Sequence, residues 1–414
     1  MYPKIAIIGA GPGGCMLARL LQQNSIPCTI FEGEKSIDYR SQGGTLDLRA
    51  KTGLAAIEKA GLWAEFQKHA RYDGEALLVC DKKQTTWVRR SPSKQGERNA
   101  IHEAPEIDRV QLRRLLIESL PADIVRWGYR LDRVEPDLSL HFENGQTERG
   151  FDLIVGADGA FSKVRNFLTS EKPFYSGIGG FMFNIPDAAN TSPESYKFVN
   201  RGSVFAYSDL KNISGQQLGD ESLSVSTWGV KDEDWMSTRD YDIKDLEAVK
   251  TALKREYQDW SPDLLRLIDN VHGHFMPKSL YMLPVGLRFD HKRGVTTLGD
   301  AAHLMTPFAG VGVNTAFFDA MLLTEQIIEY SRSSQVKDLD EFILEYEAKM
   351  WESAKKAQEL TYETMKDMML TPDAPRATIE SWICRHMKDS SPRWAYPILA
   401  FSIRLGYFFY KLFV

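Results

Sequence analysis

Ile5-Ala6-Ile7-Ile8-Gly9-Ala10-Gly11-Pro12-Gly13-Gly14 runs into Met16-Leu17-Ala18-Arg19-Leu20-Leu21-Gln22-Gln23 and then Pro27-Cys28-Thr29-Ile30-Phe31-Glu32. The first apolar run reads as a strand buried on both faces, as parallel strands are. The second run reads as a helix and the third as another strand, which together make a βαβ unit. Gly9 permits a tight turn, Gly11 lets the backbone approach a pyrophosphate, and Gly14 lets helix and strand pack closely. Pro12 and Gly13 belong to the same turn. The helix would then face the phosphates with unpaired N–H groups and its positive dipole end. Glu32, closing the second strand, is placed to accept hydrogen bonds from ribose hydroxyls. The stretch predicts an α/β fold that binds a dinucleotide; the bland reading is a glycine-rich turn without a ligand.

Composition agrees with a folded enzyme. The chain has 414 residues, 43% hydrophobic and 26% charged, which suggests two or three domains and excludes a disordered tail. A net charge of −5 argues against a nucleic-acid partner, because phosphate backbones need a basic face. Cys15, Cys28, Cys80 and Cys384 are scattered, with no Cys-x-x-Cys pair, and are expected as reduced, buried thiols. Met1-Tyr2-Pro3-Lys4 leads straight into the first strand, unlike a signal peptide, so a cytoplasmic location is expected. No histidine spacing suggests a metal site: His272-x-His274 alone is weak, and His102 and His141 stand apart. No Gly-x-Ser-x-Gly elbow supports a hydrolase.

Further along, Leu54 to His69 and Arg109 to Leu120 look helical. Glu143-Asn144-Gly145-Gln146 is a hairpin turn signal, and Asp152 to Val155 is another buried strand. Tyr175 to His274 mixes Phe, Tyr, Ser and Gly in patches suited to an antiparallel sheet, with a helix at Asp245 to Tyr257. Val313 to Tyr330 and Leu339 to Leu370 read as helices, the second with an apolar stripe including Phe342, Tyr346, Met350 and Ala354. The expected organisation is residues 1–174 and 275–332 as two parts of a nucleotide-binding domain, 175–274 as an inserted substrate domain, and 333–414 as a helical segment.

Two later motifs narrow the cofactor. Gly156-Ala157-Asp158-Gly159-Ala160-Phe161-Ser162-Lys163-Val164-Arg165 follows one strand. Leu298-Gly299-Asp300-Ala301-Ala302-His303-Leu304-Met305-Thr306-Pro307-Phe308-Ala309-Gly310-Val311-Gly312-Val313-Asn314 follows another and enters a helix. The three motifs in this order resemble the class A flavoprotein monooxygenases, the p-hydroxybenzoate hydroxylase-like family, over roughly residues 1–175 and 275–330. Gln42 to Leu48, Glu106-Ile107-Asp108-Arg109 and the Asp300 to Asn314 run are most similar to the tetracycline-inactivating monooxygenases.

The resemblance implies a Rossmann-like FAD-binding domain, an inserted antiparallel-sheet substrate domain and C-terminal helices. Asp300 can accept bonds from the ribityl hydroxyls of FAD; its plainer reading is a turn aspartate. Gly310 and Gly312, lacking Cβ atoms, let the backbone sit against a flat ring. The helix from Val313 would aim its positive end at the flavin pyrimidine edge, with Val311 and Asn314 in the same run and Pro307 near the reacting edge. Asp47 and Arg109 match FAD-contacting positions, and Arg109 would meet phosphate. Arg40 matches a position assigned to NADPH, and the Asp158 motif serves FAD and NADPH. A solvated arginine remains the plain alternative for Arg40 and Arg109. Ser162 and Arg165 are open to a structural role in their turn. His303 reads better as a packed, hydrogen-bonded histidine than as a base.

The implied cycle passes a hydride from NADPH or NADH to FAD, forms a flavin C4a-hydroperoxide with O₂, and transfers oxygen to an electron-rich carbon. No catalytic side chain is therefore expected; the cofactor carries the chemistry and the protein excludes water. The substrate should sit between the flavin face and the middle domain. Phe181, Phe183, Phe205, Tyr207 and Trp228 are candidate lining, with core packing the alternative for each. Ser224 and Ser203 stand where tetracycline-inactivating relatives carry a histidine and an arginine, and Arg201 is near enough to substitute. Thr306 and Val311 also depart from the relatives' proline and glutamine.

The expected activity is hydroxylation of an aromatic or polycyclic molecule by a monomer. Tetracycline-type antibiotic inactivation is the leading substrate reading, with a natural polyketide beside it. A same-fold flavin reductase or cyclase and a flavin-bound redox sensor remain open. Trp394 to Val414 is apolar and aromatic but interrupted by Arg404 and Lys411. Packing or gating, membrane-surface contact and, least well supported, a span are its three readings.

Overall fold

The computed structural model describes residues 2–37, 43–91, 104–333, 338–388 and 391–414. The chain divides into two compact units. The first comprises Met1–Ala70, Arg98–Phe174 and Tyr281–Glu359. Its centre is a five-stranded parallel sheet in the order Val295–Thr297, Leu153–Gly156, Ile5–Ile8, Cys28–Glu32, Val125–Trp127. Every residue of the first three of these strands is buried. This follows from placing helices on both faces of a parallel sheet. Helix Pro12–Gln23 supplies Met16, Leu17, Leu20 and Leu21 to one core, and helix Gly312–Arg332 adds Phe317, Ala320, Leu323 and Ile327.

The helix expected over Leu54 to His69 is broken. Ala50–Leu54 is a wide turn continued by helix Ala55–Lys59, and helix Trp63–Gln67 follows after Gly61, whose φ of +67° ends the first piece. The hairpin signal at Glu143 to Gln146 joins the short strands Leu140–Phe142 and Thr147–Glu148, with Gly145 at φ +83°.

The second unit comprises Arg71–Glu97, Tyr175–Leu280 and Leu360–Val414. Its seven-stranded sheet runs Phe275–Met282, Phe174–Ile185, Leu223–Val230, Lys211–Gln217, Ser203–Ser208, Leu77–Cys80, Thr86–Arg90. The antiparallel sheet expected within 175–274 is thus extended by strands from outside that range. It also holds a parallel pairing, in which Ser203 to Ala206 align with Leu77 to Cys80. A pairing across so much intervening chain leaves no local signal. Helix Leu246–Glu256 packs on this sheet, its first N–H groups held by the Asp245 carboxylate, which accepts from Glu247 and Ala248. Helix Leu339–Met365 continues through the turn Lys366–Leu370, and helices Ile379–Lys388 and Tyr396–Tyr410 follow.

All four cysteines are free. Burial pushes the thiols of Cys15, Cys28 and Cys80 up to about 12. These three should therefore resist a thiol reagent at pH 8 in the folded protein and react on unfolding. Because the folded thiols hold protons that the unfolded chain releases from about pH 9, stability should be intact below pH 9. Above that it should fall by up to about 1.4 kcal/mol per pH unit per thiol. Thiol titration and denaturant midpoints across pH 8 to 10 check both statements.

Candidate active site

Four glycines of the first motif do different work. Gly9 adopts φ +107°, and a Cβ there would lie 2.5 Å from the Ala157 carbonyl oxygen. At Gly14 it would lie 2.2 Å from the Gly9 oxygen, and at Gly13 2.7 Å from Leu298 Cδ1. The clash is with backbone at Gly9 and Gly14 and with the movable end of a side chain at Gly13, so the first two are demanded by packing and the third is constrained by it. Gly11 is not: its φ of −71° and ψ of 171° suit any residue. A Cβ there would meet nothing closer than the Ala157 oxygen at 4.0 Å. Gly11 is also the N-cap of helix Pro12–Gln23 and offers no side chain to its first N–H groups. The turn therefore presents bare donors to open space.

Glu32 faces this turn. One carboxylate oxygen accepts from the Ala10 N–H at 2.6 Å and the other from the Glu34 N–H at 2.8 Å. Each oxygen retains a lone pair for a further donor.

The second motif is tied to the third through a buried arginine. Asp158 accepts from Ser162 Oγ at 2.5 Å and from the Lys163 N–H at 2.7 Å. Ser162 Oγ in turn accepts from the Arg165 N–H at 2.9 Å. The Arg165 guanidinium donates to the carbonyls of Ala160 (2.6 Å), Asp300 (3.2 Å) and Ala301 (3.0 Å). Ser162 and Arg165 thus fix backbone. Burial raises the Asp158 carboxyl against these hydrogen bonds. Burial also lowers Arg165, against the pull of Asp158 and Asp300.

Asp300 is exposed on the short helix Asp300–His303. Its charge also reaches Arg109, whose pKa is lowered by the surrounding protein and drawn back up by Asp300. Arg109 itself is exposed at the start of helix Arg109–Glu118.

The third motif ends in a second open turn. Pro307–Ala309 is a 3₁₀ turn and Gly310 follows at φ +62°. Gly310 would bring a Cβ to 3.1 Å from Asp47 Oδ1. Pro307 and Gly310 are exposed, Gly312 and Val313 half-buried, Val311 and Asn314 buried. A Cβ on Gly312 would meet nothing within 4 Å. Gly312 begins a 21-residue helix whose N-cap, Val311, has no capping side-chain bond. Two long helices thus open their N-termini at glycines that neither packing nor backbone conformation requires. These two turns fit a phosphate-bearing, flat-ringed cofactor of the kind expected from the sequence.

Asn314 holds this turn to the segment after Asp47. Its Oδ1 accepts from the Arg49 N–H (2.8 Å), Thr52 Oγ1 (3.1 Å) and the Gly53 N–H (3.2 Å), and its Nδ2 donates to the Asp47 carbonyl at 2.8 Å. Arg49 pairs with Asp47 at 3.1 Å and donates to the Ala309 carbonyl at 2.9 Å. Arg49 was not among the candidates, although the Asp47-x-Arg49 spacing puts both on one face of an extended chain. His303 is buried and bonded at 2.7 Å to buried Asp319, which also accepts from the Gly299 N–H. That pair secures the loop and leaves no exposed base. Arg40 lies outside the described residues.

In the second unit, register sorts the aromatic candidates. Phe181 and Phe183 point into the core with Trp235 and Phe275 and are corrected to packing residues. Phe205, Ser224 and Trp228 share the opposite face. Across it, Ser203 aligns with Gln216 and Ser224, Phe205 with Ser214 and Ser226, and Tyr207 with Asn212 and Trp228. None of these side chains is charged. Arg201 does not join them: it sits in a left-handed turn before the strand, 3.5 Å from Asp73.

The family described as FAD binding domain matches residues 2–361. Monooxygenase penA of Penicillium thymicola is 30% identical over 87% of this chain and 94% of its own. Among solved structures, Klebsiella pneumoniae HpxO complexed with FAD and uric acid matches at TM-score 0.73 and 17% identity, covering 97% of this chain and 96% of that one. Tetracycline destructase Tet(51) matches at TM-score 0.66 and 18% identity, covering 94% and 97%. At these identities the two solved structures speak for the fold alone.

Proposed function

Because the chain belongs to the FAD binding domain family of aromatic FAD-dependent monooxygenases, we propose that it uses NAD(P)H and O₂ to hydroxylate an uncharged aromatic or polycyclic molecule. The observation that carries the cofactor half of this reading is the pair of open glycines, Gly11 and Gly312, at the N-termini of two long helices in one unit. FAD, when bound, supplies hydride acceptance and oxygen activation.

The chain's own residues do the holding. The first turn of helix Pro12–Gln23, with Pro12 and Gly13, receives the pyrophosphate through N–H groups. Glu32 takes the ribose hydroxyls with its remaining lone pairs, Asp300 the ribityl hydroxyls, and Arg109 a phosphate oxygen. Asp158 keeps the neighbouring turn in place. Gly310, Val311, Gly312 and Val313 present backbone to the flat ring, and the helix dipole behind them favours negative charge at that edge. Asp47 and Asn314 fix that loop, and Pro307 stiffens its approach.

The substrate half rests on the sheet face of Phe205, Trp228, Ser203, Ser214 and Ser224, all but Phe205 buried, whose own side chains supply rings and hydroxyls and carry no charge. Tetracycline-type antibiotics fit the ringed part of this description, and uncharged aromatic intermediates of secondary metabolism fit all of it. The test is purification followed by NADPH and NADH oxidation against both panels. The expected result is a yellow protein whose O₂ uptake rises with one substrate class, giving a product one oxygen atom heavier. Oxidation that no ringed compound accelerates would favour the sensor reading. Acceleration without oxygen incorporation would favour a reductase.

A further inference from the structure

Helix Tyr396–Tyr410 has no buried residue, yet it is almost wholly apolar. Its hydrogen bonds to the rest of the second unit lie along one side. Tyr407 donates to the Trp87 carbonyl, Tyr410 to the Thr86 carbonyl at 2.7 Å, and Lys411 pairs with Glu380 at 2.7 Å. Arg376 donates to the Lys411 and Val414 carbonyls, both at 2.7 Å. The opposite side carries Trp394, Ile398, Phe401, Leu405, Phe408 and Leu412, spaced three or four residues apart. Their exposures are 78%, 66%, 67%, 45%, 58% and 65%.

A helix that is apolar all round is stable in water only if the outer stripe is also covered. Charge says by what. From residue 391 onward the chain carries Arg393, Arg404 and Lys411 and no acidic residue, although the whole chain is at −5. Lys411 is spoken for by Glu380, while Arg393 and Arg404 are exposed. By helical spacing Arg404 flanks the apolar stripe, where its stem can lie along apolar surface and its head reach a polar layer. A second copy of this face would set like charges against each other. An anionic bilayer surface would not: it accepts the aromatic and aliphatic side chains below its headgroups and the arginines among them. Among the described residues no helix is long and apolar enough to cross a membrane, so the helix would lie in the surface.

We propose that this helix docks the protein on an anionic membrane surface. The full-length, flavin-loaded protein should co-sediment with phosphatidylcholine vesicles containing phosphatidylglycerol about tenfold more than with phosphatidylcholine alone. The triple variant Phe401→Ser, Leu405→Ser, Phe408→Ser should lose both kinds of binding. The pair Arg393→Glu, Arg404→Glu should lose only the anionic preference, and its exposed positions keep the test available if the triple variant does not fold. Soluble NADPH oxidation should stay within twofold for the pair. Failure of the parent protein to sediment with vesicles would overturn the proposal, as would equal binding to both vesicle types. A dimer seen by light scattering, dissolved by the serine substitutions and indifferent to lipid, would assign the face to a second copy instead. None of these readouts depends on which substrate is oxidised.

Discussion

The Gly11→Val variant is expected to fold and to emerge colourless. The backbone at Gly11 is already in a conformation valine tolerates, and the nearest atom to a new Cβ is 4.0 Å away. Loss of stability should stay within about 1 kcal/mol, the cost of a poorer N-cap. What the side chain fills is the space in front of the first turn of helix Pro12–Gln23. FAD affinity should drop by at least about 100-fold, roughly 2.7 kcal/mol, measured by flavin fluorescence on reconstitution of the apoprotein. The companion Gly14→Val should fail at the earlier step, because its Cβ would lie 2.2 Å from the Gly9 oxygen; it should give little soluble protein. A Gly11→Val protein that is folded and as yellow as the parent would remove the pyrophosphate from this turn.

Asn314→Ala has the second largest expected effect. The side chain is 3% exposed, and its removal strands the buried Gly53 N–H, the Arg49 N–H and the Asp47 carbonyl together. Each stranded buried group costs about 1–3 kcal/mol, so a loss of about 3–5 kcal/mol is expected from denaturant midpoints at constant slope. Alanine also frees the Arg49–Gly53 segment from the flavin-side turn, so retained FAD should fall with stability. Asn314→Asp, keeping an acceptor and losing the donor to Asp47, should fall between. A loss under about 1 kcal/mol would mean that the two N–H groups and the Asp47 carbonyl find other partners and that the staple is redundant.

The parts of the site that local spacing encodes were readable in advance. Strand, glycine turn and helix at residues 5–23 follow from composition over a few residues, and the two later motifs likewise sit after strands. The sequence reads His303 as packed, although its partner Asp319 lies in the next helix, with no spacing rule to point to it. Other features needed the fold. Period-two alternation says that Phe181 and Phe205 lie on a face, but not which face until strand pairing is known. That is why the aromatic candidates split between the two faces of the sheet, Phe181 and Phe183 on one and Phe205, Tyr207 and Trp228 on the other. The Asn314 contacts join positions more than 260 residues apart. The parallel alignment of Ser203 with Leu77 likewise recruits a strand from a stretch that otherwise reads as part of the nucleotide domain.

Helix Leu339–Met365 is shared: its residues up to Glu359 belong to the first unit and those from Leu360 to the second. The chain passes between the units at five places, and the last lies inside this helix. No single stretch of gene therefore encodes either body. A chimera that trades one body between two related enzymes needs five splices. The crossings at 70/71, 174/175 and 280/281 fall outside helices; the one at 359/360 must preserve helical phase, since one residue added there would rotate everything downstream by about 100°.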